Sequence, residues 1–345
     1  MKKTRVAING FGRIGRAFLR VVASKKDSPI DIVAINDLGD IKNFAYLLKH
    51  DTSYREFKSK VEVSADSSAL IVDGKEIKFI SEKDPTKLPW KDFDVDVVVE
   101  CTGLFTSGEK AKIHLDAGAK RVVVSAPTKD EPESTMKSAT ILMRMNEDEM
   151  NNSVITSNAS CTTNAAGPLL AILDETLGVE KALLNTTHAY TASQSIVDGP
   201  NKKDFREGRA GAMNLVPSST GAAIAVTKIM KNMKGLFDGI SIRVPVVTGS
   251  LVDITFISKK ETTAEEVNQI LTDASKTERW ADIFAVTNEP LVSSDIIGNH
   301  HASIADLLMT RVVGGNLVKV LAWYDNEMGY TNTLVEHVVK VGKLI

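Results

Sequence analysis

The sequence predicts two fold classes in one chain. An α/β doubly wound parallel sheet comes first, and an α+β domain with a mixed or antiparallel sheet follows. Three observations carry this expectation. Short apolar strands alternate with helix-period segments as far as residue 124, the pattern that builds a parallel sheet covered by helices. Longer strands and a long polar loop replace that alternation after residue 160. The length, 345 residues, exceeds what one core holds, since single cores stop growing at around 250–300 residues.

Taken in order, residues 5–8 form an apolar strand, and residues 13–23 have helical spacing through Ile14, Phe18, Leu19 and Val22. Residues 30–35 are a second strand and 41–48 a short helix. Residues 58–80 alternate in strand fashion, with Asp73-Gly74 as the hairpin turn between 70–72 and 77–79. Residues 95–99 and 120–124 read as buried strands around runs of valine, with a helix at 108–117 between them. In the second half, one long helix covers 161–177 and strands cover 182–187, 240–245, 251–258 and 317–324. Residues 189–217 are polar and rich in Gly and Arg; unpatterned loops of that length are usually functional or interfacial. A last helix runs over 326–341.

Composition narrows the function. The chain is 43% hydrophobic and 25% charged with a formal net charge of -2, so no broad field favours nucleic acid or an anionic membrane. Small anionic ligands need only a few local cations. No apolar run is long enough for a bilayer and the N-terminus lacks a signal h-region, which predicts a cytoplasmic protein. Two cysteines, Cys101 and Cys161, make no disulfide framework. The six histidines are scattered, so no metal is expected; the adjacent His300 and His301 would point to opposite faces of an extended segment.

Two constellations carry chemistry. Gly10-Phe11-Gly12-Arg13-Ile14-Gly15 fits G-x-G-x-x-G between a strand and a helix. The first glycine permits the turn, the second lets backbone approach a pyrophosphate, and the third lets helix pack on strand, with phosphates at the helix N-terminus. Asp37 ends the second strand at about the 20-residue distance where a carboxylate accepts a ribose diol. It would repel a 2′-phosphate. The reading is a Rossmann-type site for NAD rather than NADP. The second constellation is Cys161, just ahead of an apolar helical run within Ser157-Asn158-Ala159-Ser160-Cys161-Thr162-Thr163-Asn164. A helix N-terminus lowers a thiol pKa, and His188, at a strand end, is the partner expected to pair with the thiolate and act as base. Together they predict a thiolate populated well below the free-cysteine value of ~8.5. Cys101 reads as structural.

These motifs together resemble the phosphorylating glyceraldehyde-3-phosphate dehydrogenase family over essentially the whole chain. The resemblance rests on Ile8 through Arg16, Ile35-Asn36-Asp37, Glu100-Cys101-Thr102-Gly103, Ser125-Ala126-Pro127 and the Cys161 octapeptide. It continues in Thr187-His188-Ala189-Tyr190-Thr191-Ala192, Val197-Asp198-Gly199-Pro200, Pro217 through Ala223, Arg243-Val244-Pro245 and Trp323-Tyr324-Asp325-Asn326-Glu327. It implies oxidation of D-glyceraldehyde 3-phosphate to 1,3-bisphosphoglycerate through a Cys161 thioester, with His188 taking the proton and inorganic phosphate releasing the product. It places Thr191, Arg243 and Arg206 on the substrate phosphate; a subunit-interface salt bridge is the alternative for Arg206. Ser160, Thr162, Thr220 and Gly221 are placed on inorganic phosphate. Gly10, Gly12, Arg13, Ile14, Asp37, Lys83 and Ser125 would line NAD, and Asn326 would hold its carboxamide.

The resemblance further implies an NAD-binding domain over 1–160 completed by the helix 326–345, a catalytic domain over 161–325, an S-shaped loop at about 189–217, and a homotetramer. Ala165 stands where the family usually has a second cysteine. Two rivals are an erythrose-4-phosphate dehydrogenase, which uses water on the acyl enzyme, and a non-catalytic NAD-binding regulator or adhesin. The intact Ser219-Thr220-Gly221-Ala222-Ala223 and Val197-Asp198-Gly199-Pro200 argue against the first, and retention of Cys161 with His188 against the second.

Overall fold

In the computed structural model, residues 2–202 and 204–345 are described; Met1 and Lys203, the latter within the expected 189–217 loop, lie outside the described residues. The chain divides into two compact units, Met1–Ala159 with Thr331–Ile345, and Ser160–Tyr330.

The first unit is built on a nine-stranded sheet. From one edge the strands run Ala139–Thr140, Ile155–Ser157, Arg121–Val124, Val97–Glu100, Thr4–Asn9, Ile30–Asn36, Lys75–Ile80, Ala69–Val72 and Val61–Val63. The first seven pair in parallel and the last two join antiparallel. All four residues of Val97–Glu100 are buried, and the three valines at 97–99 read as an unbroken apolar run. Helix Arg13–Ser24 buries Phe18 and Leu19, and side chains of this kind stabilise by about 1.5–3 kcal/mol each when fully covered. Asp73 and Gly74 have φ of 49° and 81°, the left-handed pair that a two-residue hairpin turn requires. Strand Thr4–Asn9 lies between Ile30–Asn36 and Val97–Glu100, so chain order reverses at its carboxyl end. Open parallel sheets bind ligands at such a reversal, and Gly10 follows directly.

The second unit holds an eight-stranded mixed sheet. Its path is Val216–Ser219, Phe237–Val244, Val179–Ala189, Ser250–Ser258, Leu317–Tyr324, Ser303–Asp306 and Phe284–Thr287, with Arg311–Val313 also on Leu317–Tyr324. Helix Cys161–Thr176 opens the unit's regular structure, and twelve of its residues are buried. Two helices were not legible in the periodicity, Ala222–Ile229 and Ala264–Ala274. The loop expected to reach residue 217 ends in strand, since Val216–Ser219 already pairs with Phe237–Val244. The His300–His301 expectation is corrected: neither residue lies in a strand, and their rings sit 4.0 Å apart rather than on opposite faces. Among the described residues, no three His, Cys, Asp or Glu side chains gather as a metal site, and no helix is long and apolar enough to cross a membrane.

Candidate active site

At the switch point of the first unit lies a cavity of about 450 Å³, lined by Gly10, Gly12, Asp37, Lys83, Cys101 and Thr102 among others. Its floor is a turn that requires glycine at positions 10 and 15. Gly10 has φ +94°, and a Cβ on Gly15 would lie 2.2 Å from the Gly10 carbonyl oxygen. A Cβ on Gly12 would meet nothing within 4 Å, so backbone there faces open space. Gly12 is also the cap of helix Arg13–Ser24 and supplies no side-chain cap, which leaves first-turn N–H groups for an anion. Asp37 is fixed by the same turn: the Phe11 N–H donates to Oδ2 at 2.6 Å and the Gly39 N–H to Oδ1 at 3.1 Å. The donor set fits a dinucleotide.

Not every expected residue lines the cavity. Arg13 and Ile14 lie just beyond it, and the Arg13 guanidinium is paired with Asp51. Ser125 bonds the Cys101 thiol, and burial pushes that thiol up to about 12, so Cys101 is an inert wall. Glu100 is a carboxylate that sequence reasoning passed over; it is 1% exposed and accepts from Asn9, His114 and Thr102 around the same cavity.

The second unit assembles a thiol–imidazole pair. Cys161 is the first residue of its helix, capped by Ser160, whose Oγ accepts from the Thr163 N–H at 3.1 Å. Two residues earlier Ala159 is held at φ 55°, a left-handed conformation that alanine rarely adopts. Cys161 Sγ lies 3.3 Å from His188 Nε2. His188 is next to last in strand Val179–Ala189, and its register partner on the parallel neighbour is Arg243. Arg243 Nη1 comes within 2.6 Å of His188 Nδ1, which also lies 2.6 Å from the Ala189 carbonyl oxygen. Tyr324 meets the imidazole edge-on with ring centroids 6.0 Å apart. Its buried hydroxyl links Thr162 Oγ1 at 2.9 Å to Thr186 Oγ1 at 2.8 Å. Ser250 Oγ accepts from the Ala189 N–H and donates to Asn326 Oδ1 at 3.1 Å each. Asn326 Oδ1 also accepts from Gly249 at 3.0 Å, which leaves its amide nitrogen as the donor end. Tyr324 and Ser250 were both missed; register, not local motif, brings them here.

Burial opposes both charges of the expected pair. Burial pushes the Cys161 thiol up, and this outweighs the charge of Arg243 and the hydrogen bonds of Thr162, which pull it down. Burial, then the nearby Arg243 guanidinium, lowers His188 to about 4. Both shifts have burial as their largest cause and run against the charged forms expected of the pair. A helix N-terminus acts only on the charged form, and desolvation penalises that form more.

The expected anion groups divide. Arg243 stands against the pair, whereas Arg206 pairs with Asp204 in its own loop, with Nη2 2.7 Å from Oδ2. The Thr162 hydroxyl, expected on phosphate, is turned to Tyr324, and the Ser160 hydroxyl caps the helix. Thr191 is tied to Ser193 and Gln194 through its hydroxyl. Thr220 and Gly221 precede helix Ala222–Ile229, which has no side-chain cap on Gly221.

Residues 4–108 match the glyceraldehyde 3-phosphate dehydrogenase NAD binding domain, and residues 160–326 match the glyceraldehyde 3-phosphate dehydrogenase C-terminal domain. The chain is 48% identical over 333 residues to the glyceraldehyde-3-phosphate dehydrogenase of Thermotoga maritima, covering 96% of this chain and 97% of that one. It is 45% identical to the protein of that name from Borreliella burgdorferi, over 98% of this chain and all of the other, and 42% identical to that of Clostridium pasteurianum, over 99% and 100%.

Proposed function

The chain belongs to the glyceraldehyde-3-phosphate dehydrogenase family, and from that premise we propose that it converts D-glyceraldehyde 3-phosphate, NAD and inorganic phosphate into 1,3-bisphosphoglycerate and NADH, a step of glycolysis and gluconeogenesis. The observation that carries the reading is Cys161 Sγ at a helix N-terminus, 3.3 Å from His188 Nε2. The names of the relatives do not favour an erythrose-4-phosphate dehydrogenase or a non-catalytic binder.

Cys161 Sγ adds to the aldehyde carbon and forms a hemithioacetal. His188 Nε2 takes the proton of its hydroxyl while hydride leaves the same carbon. NAD, when bound, supplies the hydride acceptor. A phosphate oxygen then attacks the thioester carbon, and the carbon–sulfur bond breaks to return the thiolate. Arg243 and Thr191 hold the substrate phosphate, and Thr220 with the Gly221 backbone holds the inorganic one. Arg206 is left out because Asp204 occupies it. Gly10, Gly12, Asp37 and Lys83 bind the dinucleotide, with Asn326 donating to its carboxamide. The expected domains, 1–160 with the last helix and 161–325, carry these two tasks.

Self-association as a homotetramer is supported by exposed apolar side chains in the second unit. Leu183 and Ile240 are 66% and 53% exposed on its sheet, and Ile196, Val197 and Phe205 are exposed on the long loop. A cytoplasmic location suits a mechanism that needs Cys161 reduced.

The test is steady-state NADH formation from aldehyde, NAD and phosphate, with and without Cys161→Ser. The wild type should turn over only with all three substrates. The variant should lose oxidation while NAD titrates nearly as before, because an alkoxide forms far less readily than a thiolate. Near-normal turnover in the variant sinks the covalent mechanism.

A further inference from the structure

Three donors from one short segment converge on the Asn326 side-chain oxygen. The Gly249 N–H reaches Oδ1 at 3.0 Å, the Ser250 hydroxyl at 3.1 Å and the Thr248 hydroxyl at 3.4 Å. A backbone N–H can only donate, so the atom facing Gly249 is the oxygen, and the amide cannot turn over without setting its NH₂ against a donor. Asn326 and Ser250 are both buried, where a donor facing a donor is costly. Gly249 must be glycine for this arrangement. Its φ is +93°, and a Cβ there would lie 2.4 Å from the Ser293 carbonyl oxygen.

Ser250 makes a second contact that Gly249 does not. The antiparallel ladder between Val179–Ala189 and Ser250–Ser258 ends at Thr187 and Leu251. Beyond that end the Ala189 N–H donates to Ser250 Oγ at 3.1 Å. A serine hydroxyl has one proton and spare lone pairs. With Ala189 donating to it, its own proton goes to Asn326. The two bonds run in one direction, from the backbone that follows His188 to the Asn326 amide. We propose that Ser250 is a positioning residue for the hydride step: its hydroxyl ties the strand end that carries His188 to the Asn326 amide, and so keeps the Asn326 NH₂ aimed at the nicotinamide carboxamide. This rests on the dehydrogenase reading above, in which Asn326 donates to that carboxamide. Ser250 acts through Asn326 and takes no part in bond making.

The consequence is confined to one end of the cofactor. ADP-ribose keeps the adenosine and pyrophosphate of NAD but lacks the nicotinamide ring, so it is the control probe. Kd for NAD and for ADP-ribose is measured by calorimetric titration of the full chain. The variants are Ser250→Ala, Ser250→Thr, Asn326→Ala and the double variant of Ser250→Ala with Asn326→Ala. One lost neutral hydrogen bond corresponds to a Kd roughly two- to tenfold weaker. Ser250→Ala should weaken NAD by that factor and leave ADP-ribose unchanged. Ser250→Thr keeps the hydroxyl and should bring NAD back to within about twofold of wild type. In the Asn326→Ala background, Ser250→Ala should no longer change the NAD Kd. Hydrogen exchange without any cofactor gives a separate readout: the Ala189 amide should exchange faster in Ser250→Ala and at the wild-type rate in Ser250→Thr. If Ser250→Ala does not fold, Ser250→Cys carries the same comparison, since a thiol is only a weak donor. Equal weakening of NAD and ADP-ribose, or an effect that persists without Asn326, overturns the proposal. If Ser250→Ala has no effect while Asn326→Ala weakens NAD alone, only the role of Ser250 falls. If Asn326→Ala leaves the ratio of the two Kd values unchanged, the carboxamide reading falls and the proposal falls with it.

Discussion

Replacing Glu100 by glutamine isolates the support under the dinucleotide cavity. Glu100 Oε2 accepts from Asn9 Nδ2 at 2.6 Å and lies 3.0 Å from His114 Nε2. Oε1 accepts from the Thr102 N–H at 2.7 Å and from the Thr102 hydroxyl. His114 Nδ1 accepts from Trp90 Nε1 at 3.1 Å, which puts the ring proton on Nε2, toward the carboxylate. Every partner of Glu100 is therefore a donor. Glutamine keeps the volume but exchanges one acceptor oxygen for an NH₂ group. With the NH₂ turned toward Asn9 and His114, two buried donors face a donor; turned toward Thr102, only the Thr102 N–H does, because its hydroxyl can reverse and accept. At about 1–3 kcal/mol for one unsatisfied group, the cheaper orientation sets the loss. With about 2–4 °C per kcal/mol in a domain of 150–250 residues, the melting midpoint of the first unit should fall by roughly 2–12 °C. Asn9 and Thr102 also line the cavity, so the NAD Kd should rise severalfold. Differential scanning calorimetry with a parallel NAD titration measures both. A midpoint within about 2 °C of wild type, together with an unchanged Kd, would refute the claim that this carboxylate holds the cavity wall.

The other expectations are shorter. Asp37→Ala should narrow the ratio of kcat/KM for NAD over NADP by removing the charge that repels a 2′-phosphate; an unchanged ratio would assign the preference elsewhere. Gly15→Ala places a Cβ 2.2 Å from the Gly10 oxygen, so helix and strand must part; a loss of more than about 2 kcal/mol is expected in chemical denaturation, with weaker NAD binding. His337 is fully buried, and burial lowers it to about 3. The unfolded chain binds the proton more readily, so this contribution is complete above about pH 6.5 and declines by about 1.4 kcal/mol per pH unit as pH falls toward the folded value. His337→Gln should flatten that part of the stability–pH curve, and a curve parallel to wild type would show that His337 does not cause it.

The parts of the fold that could be read from sequence are those where one local rule decides. The valine runs at 97–99 and 122–124 are buried on both faces, so hydropathy alone identifies them. Asp73-Gly74 needed only its turn chemistry. Ala139–Thr140 and Ile155–Ser157 were invisible because two or three residues carry no period; only the neighbouring strand Arg121–Val124 makes them sheet. Helix Ala264–Ala274 did leave a signal, Thr263 followed at the third position by Glu266, and the Thr263 side chain accepts from the Glu266 N–H. Helix Ala222–Ile229 did not, since a glycine cap and an alanine-rich first turn look like loop.

At the active site the division falls between identity and state. Cys161 and His188 were recoverable because a helix start and a strand end are local features. Their protonation was not, because it depends on what packs around them. Helix position argues for a thiolate, but Tyr324 and strand Val179–Ala189 enclose the pair, and burial then outweighs the dipole. The same register that buries the imidazole sets Arg243 directly beside it, 55 residues along the chain. A cation placed there attracts the thiolate and disfavours the imidazolium, so it cannot stabilise both halves of an ion pair at once. Hemithioacetal oxidation needs a bare Nε2 to receive a proton, a bare Nε2 on a neutral ring requires a protonated Nδ1, and the Ala189 carbonyl oxygen 2.6 Å from Nδ1 is the acceptor that keeps the ring proton there.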